Sequence, residues 1–209
     1  MIRVVIADDH DVIREGVKRI LEDTPDIRVT AEARDGQELL AKIRQKTFDV
    51  VVMDLTMPGR GGLDALKDLR SERPKLPVLV LSMHDERQYA VRVLRAGAAG
   101  YLTKAHVSEH LVDAVRKVVS GGKYLTPTTA ELLAEDVGTD AKPPHEKLSN
   151  REYQVLCLLA SGKTVSDIAE MLSLSVQTIS TYRAHILEKL GLQNTAQIIR
   201  YAHQNGLVQ

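Results

Sequence analysis

The sequence predicts an α/β fold: a (βα)5 doubly wound parallel sheet, joined by a linker to an all-α four-helix domain. Three observations carry that prediction. Over residues 1–123, short β-branched apolar runs alternate with segments of helical period, which is the pattern of βαβ units. Two of those runs end in acids, Asp8-Asp9 and Asp54, as strands do when their carboxyl ends form a site. After a polar stretch at 138–146 no strand signal returns, and every further segment reads helical.

Taken in order, strands are expected at 2–7, 27–33, 50–53, 78–81 and 100–103, and helices at 12–21, 37–46, 63–70, 86–96 and 108–120. Five such repeats imply the flavodoxin-like strand order 2-1-3-4-5. Val50-Val51-Val52-Met53 is apolar throughout, as befits a strand covered on both faces. Gly121-Gly122 ends the fifth helix, and a short helix is expected around 130–134. The segment 138–146 contains Gly138, Pro143 and Pro144 and reads as linker rather than core. Ser149 followed by Glu152 is a capping box opening a helix that stops near Ser161-Gly162. A short helix at 165–172, a turn at Ser173-Leu174-Ser175 and a longer helix at 176–190 trace a helix-turn-helix, closed by a fourth helix at 195–204. The domains expected are 1–123, a linker 124–146, and 147–209.

Composition narrows the function. The formal net charge is zero, but residues 1–124 carry a net +2, 125–146 a net −4 and 147–209 a net +2. Any nucleic-acid binding must come from a local patch rather than a bulk field. The single cysteine, Cys157, excludes an internal disulfide and a cysteine metal cluster, and its apolar neighbours place it in a core. The chain opens directly into a strand, and no apolar segment approaches the roughly 20 residues that span a bilayer, so a reducing, cytoplasmic setting is expected.

The acids define the chemistry. Adjacent strands ending in Asp8-Asp9 and Asp54 bring three carboxylates to one pocket, and like charges so close stay ionised only with a cation among them. That points to a divalent metal beside a carboxylate nucleophile, an acceptor for a phosphoryl group.

Four motifs then fall at the ends of different expected strands: Asp8-Asp9-His10, Asp54-Leu55-Thr56-Met57-Pro58-Gly59, Leu81-Ser82-Met83-His84 and Gly100-Tyr101-Leu102-Thr103-Lys104. With them residues 1–123 resemble the receiver domain of two-component response regulators, and 147–209 resemble the LuxR-type DNA-binding domain. Together they look like a transcriptional regulator of the NarL/FixJ subfamily. The resemblance implies that Asp54 accepts phosphate from a sensor histidine kinase. Asp9, Asp54 and the Thr56 carbonyl would hold Mg2+, with Asp8 acting mainly through metal-bound water. Lys104 and Ser82 would contact the phosphoryl oxygens, and Tyr101 would move inward as the switch. Met57-Pro58-Gly59 would shape the acceptor loop.

The resemblance also makes 176–190 the recognition helix, directed at double-stranded promoter DNA. Its spacing assigns Val176, Ile179, Ile186, Leu187 and Leu190 to the buried face. By matched position Ser180, Thr181 and Ala184 face bases, and Gln177, Thr178, Tyr182, Arg183, His185 and Lys189 are candidates for phosphate or mixed contacts. Lys163 and Thr164 would bind phosphate with help from helix N-terminal amides. Family members often carry a base where Gln177 sits, and Ala184 offers only a methyl, so weak monomer affinity and reliance on a homodimer are expected. Ile198, Ile199 and Tyr201 are the dimer candidates, although the two isoleucines fit a core equally well.

Two other functions remain open at this point. A Mg2+-dependent phosphatase with an Asp nucleophile would carry a general acid two residues on, where this chain has Thr56. A receiver-type interaction protein that works without phosphorylation would not need the full acceptor set. The resemblance makes the chain a phosphoacceptor rather than a turnover enzyme.

Overall fold

The structure is a computed structural model that describes residues 1–58, 61–137 and 143–208, without the side chains of 135–137. Gly59 of the expected acceptor-loop turn and the linker residues 138–142 lie outside the described residues. The chain forms two compact units, Met1–Ala130 and Glu131–Gln209.

In the first unit β1 (Ile2–Ala7), β2 (Ile27–Ala33), β3 (Val50–Asp54), β4 (Val78–Ser82) and β5 (Gly100–Thr103) form one parallel sheet in the order β2-β1-β3-β4-β5. The order is the expected one. β3 and β4 each run one residue further than their apolar runs, because Asp54 still pairs with Leu81 and Ser82 with Thr103. Five helices connect the strands: α1 (Asp11–Glu22), α2 (Gly36–Gln45), α3 (Gly62–Glu72), α4 (Glu86–Arg95) and α5 (Val107–Val119). On one sheet face Val4, Ile6, Val52 and Leu81 pack with Val17 and Leu21 of α1 and with Leu111 and Val115 of α5. The period-2 alternation turns Val5, Val51 and Val80, all fully buried, to the opposite face.

Residues after 123 do not leave this unit at once. Tyr124 pairs with Gly100, and α6 (Pro127–Val137) begins there and ends in the second unit's part of the chain.

The second unit comprises α7 (Asn150–Ala160), α8 (Val165–Met171), α9 (Val176–Leu190) and α10 (Thr195–Gln204). Ser149 and Glu152 form the expected capping box, and Gly191, at φ 65°, ends α9 in a left-handed turn. Ile168, Leu172, Ile179, Ile186, Ile198 and Ala202 are buried, as is Cys157. Val176 departs from its assignment to the buried face and is 51% exposed. It is the first residue of α9, before the helix meets its neighbours; Leu187 and Leu190 are only half-buried.

Candidate phosphoacceptor site and DNA-reading helix

The carboxyl ends of β1, β3, β4 and β5 converge, and each delivers one part of the site. Asp8 follows β1, Asp54 ends β3, Ser82 ends β4, and Lys104 follows β5. Asp8 and Asp54 are 2% exposed and Ser82 is fully buried. Lys104 Nζ lies 2.7 Å from Asp8 Oδ2 and 2.8 Å from Asp54 Oδ2. Only the second contact is aligned as a hydrogen bond. Asp54 Oδ1 accepts from the Thr56 amide at 3.1 Å, and Asp8 Oδ1 accepts from the His10 amide at 2.8 Å.

Burial dominates the electrostatics here. It pushes the Asp54 carboxyl up to about 6, with Lys104 pulling the other way and Asp8 adding to the rise. Burial also works against the Lys104 ammonium, but Asp54 and Asp8 together hold its pKa above the usual lysine value. The cluster thus keeps one firmly charged cation beside Asp54, whose ionisation burial opposes.

A hard cation fits the remaining donors. One ligand atom each from Asp8, Asp9, His10 and Asp54 lie within 4.8 Å of one another. Asp8 Oδ2 and Asp9 Oδ1 are buried without an aligned hydrogen bond, their near neighbours being Lys104 Nζ at 2.7 Å and His10 Nδ1 at 3.0 Å. A set of clustered carboxylate oxygens, free to accept a further hard cation, suits Mg2+. His10, exposed, places Nδ1 3.0 Å from Asp9 Oδ1 and 3.4 Å from Asp8 Oδ1.

His84 is the site residue that single-position reading passed over. Its amide donates to Ser82 Oγ at 3.0 Å, and its carbonyl accepts from the Tyr101 hydroxyl at 2.8 Å. Its Nε2 is 3.4 Å from Thr56 Oγ1, and its ring packs 4.8 Å from that of Tyr89. Burial and then the Lys104 charge lower its pKa, so the imidazole is neutral at pH 7. The motif Leu81-Ser82-Met83-His84 contained it, but its role arises from backbone groups, which residue identity does not reveal. Tyr101 is fully buried and already turned inward.

Gly62 packs directly against the backbone of Asp54 and Leu55. A Cβ there would come 2.5 Å from the Asp54 carbonyl oxygen and 2.7 Å from that of Leu55. Only glycine lets α3 begin so close to the end of β3.

In the second unit, Lys163, Gln177, Thr181, Ala184, His185 and Lys189 are exposed, while Thr178, Ser180, Tyr182 and Arg183 are half-buried. Three of these have structural duties. Lys189 Nζ donates to both Glu152 oxygens at 2.8 and 2.7 Å, with His185 Nδ1 3.5 Å from the same carboxylate. Arg183 Nε donates to Thr195 Oγ1 at 2.9 Å, tying α9 to α10. Thr164, exposed, caps α8: its hydroxyl accepts from the Asp167 amide at 3.2 Å and its amide donates to Asp167 Oδ2 at 2.9 Å. Of the dimer candidates, Ile198 is fully buried and belongs to the core of its own unit, which removes it from any dimer surface. Ile199 is half-buried, as is Tyr201, whose hydroxyl is 3.1 Å from His145 Nδ1.

These arrangements have close counterparts. Residues 4–116 match the response regulator receiver domain, and 146–202 match the bacterial regulatory proteins of the luxR family. The chain is 36% identical over 211 residues to the response regulator UvrY of Escherichia coli, covering 99% of this chain and 96% of UvrY. It is 37% identical over 210 residues to the response regulator GacA of Pseudomonas aeruginosa, covering 100% and 98%. The chain belongs to the NarL/FixJ family of DNA-binding two-component response regulators. Among solved structures, RcsB of Salmonella enterica serovar Typhimurium, bound to a promoter in the presence of phosphomimetic BeF3−, superposes on this response regulator with a TM-score of 0.61. That match has 28% identity and covers 96% of this chain and 97% of RcsB. Among the described residues of the regulator, no helix is long and apolar enough to cross a membrane.

Proposed function

We propose that this response regulator accepts a phosphoryl group on Asp54 from a cognate sensor histidine kinase and that the modification promotes dimerisation and promoter binding. The observation that carries the reading is the position of Lys104 Nζ, within 2.8 Å of Asp54 and 2.7 Å of Asp8 in a buried acidic cluster. An Asp54 oxygen attacks phosphorus, a P–O bond forms as the P–N bond to the kinase histidine breaks, and the imidazole leaves. Lys104 then transfers its contact to the phosphoryl oxygens, and the Ser82 hydroxyl donates to them. Asp9, Asp54 and the Thr56 carbonyl would hold Mg2+, with Asp8 acting through its water. Bound there, Mg2+ neutralises charge on the transferring group. Ser82 leaves its contact with the His84 amide, and Tyr101, already inward on the His84 carbonyl, holds the switched position. The protein assists its own phosphorylation and dephosphorylation but does not turn over as an enzyme; Thr56 offers no carboxyl for general acid work.

In this reading a receiver (1–123), a linker (124–146) and a DNA-binding domain (147–209) act in the cytoplasm. α9 enters the major groove with Ser180, Thr181 and Ala184 toward bases and Gln177, Thr178, Tyr182 and Arg183 toward the backbone, joined by Lys163. Ile199 and Tyr201 of α10 lie at the dimer contact. The test is intact mass and oligomeric state after addition of Mg2+ and acetyl phosphate. A single adduct on wild type, absent from Asp54→Ala, together with a monomer-to-dimer shift, is expected. An equal adduct on the variant would sink Asp54 as the acceptor and leave a phosphorylation-independent interaction module.

A further inference from the structure

The segment that follows α5 is fastened to the first unit at two points. The Tyr124 amide donates to the Ala99 carbonyl at 2.9 Å, and Tyr124 forms a parallel bridge with Gly100 at the start of β5. β5 is the outer strand of the sheet, so this bridge covers part of its open edge. Gly100 has no room for a side chain, because a Cβ would lie 2.9 Å from Tyr124 Cβ and 3.0 Å from the Tyr124 carbonyl oxygen.

The second fastening is polar. Thr126 caps α6, its hydroxyl accepting from the Thr129 amide at 3.1 Å and its carbonyl from the Ala130 amide at 3.0 Å. The hydroxyls of Thr126 and Thr129 both donate to one oxygen, Glu86 Oε2, Thr129 at 2.7 Å. Thr129 is 1% exposed. Glu86 is the first residue of α4, two positions after His84. His84 is the residue whose amide holds Ser82 Oγ and whose carbonyl holds the Tyr101 hydroxyl. A short rigid path therefore runs from the acceptor site through Ser82, His84 and Glu86 to Thr129.

We propose that residues 124–130 are a strap through which the state of the Asp54 site reaches α6, with Glu86 as its positioning residue. This rests on the reading above in which Ser82 turns to the phosphoryl group. When it does, the His84 amide loses its acceptor and the 83–85 loop shifts. Hydrogen bonds to a carboxylate tolerate little displacement, so a shift of about 1 Å at Glu86 breaks the paired contact with the two threonines. Release of the strap frees the start of α6, the helix along which the chain passes into the second unit's residues.

Hydrogen exchange on the full chain tests this, with Glu86→Ala and Glu86→Gln beside wild type. Gln keeps an oxygen that accepts both hydroxyls, so it should behave as wild type. Without phosphodonor, Glu86→Ala should speed exchange at the Tyr124, Thr129 and Ala130 amides, and also at His84, by about tenfold. Faster strap exchange with an unchanged His84 amide would overturn the coupling. With acetyl phosphate and Mg2+, wild type should show faster strap exchange in proportion to the adduct measured by mass. Glu86→Ala should take up the same adduct with no further change in the strap. Full adduct on wild type with unchanged strap exchange would also overturn the proposal. If no adduct forms on any variant, the phosphoacceptor reading fails alone, and the donor-free comparison at His84 still decides the strap.

Discussion

At Asp54 the cost of the site is visible in a single side chain. Its carboxyl titrates at about 6 because burial penalises the charge more than Lys104 rewards it. A raised carboxyl pKa means the folded state binds the proton more tightly than the unfolded chain. Stability from this group is therefore greatest below the unfolded value of roughly 3.9, and falls as pH rises toward 6. Asp54→Asn should abolish the phosphoryl adduct while stabilising the metal-free protein at pH 7 by about 1–2 kcal/mol, measured by urea unfolding. That gain should vanish at pH 4, where Asp54 is already protonated. Ser173 is a second residue-scale case. It holds φ 53° in the turn after α8, a left-handed conformation that a side chain disfavours. Ser173→Gly should raise the thermal stability of the second unit by about 0.5–1 kcal/mol.

Elements are placed by contacts between residues far apart in sequence. α3 approaches the end of β3 only because Gly62 is bare, and Gly62→Ala must push the Asp54 and Leu55 backbone aside. The expected result is at least a tenfold slower adduct formation with acetyl phosphate, because about 1 Å of misplacement at a reacting group costs that much or more. In the second unit Glu152 both closes the capping box of α7 and receives Lys189 from α9. Burial works to raise its pKa, but Lys189 and the Ser149 amide outweigh burial and leave it below the usual value. A depressed carboxyl stabilises above roughly pH 4.3 and loses that contribution as pH falls through its folded value. Acid unfolding of the second unit should therefore begin at higher pH in Lys189→Met than in wild type, followed by circular dichroism. If Lys189 served DNA alone, the acid transition would not move.

Across the whole molecule, function depends on two units with little bulk charge. The residues from 147 onward carry only a net +2, and Lys189 and Arg183 are drawn into structural contacts. Few phosphate contacts predict a shallow salt dependence, with log K falling by roughly 0.9 per contact per log unit of salt. On the proposed reading each copy binds weakly by itself, so DNA binding should rise steeply with dimerisation. Tyr201→Ala should weaken operator binding of the phosphorylated protein in a mobility-shift titration, while leaving the adduct on Asp54 unchanged.

Much of this was legible in the sequence, for a physical reason. Strand and helix periods, caps such as Ser149 with Glu152, and stops such as Gly191 are local, so the bounds of α9 and α10 emerge as expected. The acids Asp8, Asp9 and Asp54 were identifiable because parallel strand order alone brings strand ends together. What only the tertiary structure decided are properties of neighbours distant along the chain. Val176 and Ile198 differ in exposure because packing against other helices, not period, determines which apolar side chain is covered. Lys189 pairs with Glu152, 37 positions away, an attachment that the pattern of its own helix does not reveal. His84 and Glu86 matter through backbone groups and a carboxylate shared with residues 40 or more positions away, and no local pattern in the sequence marks such a meeting.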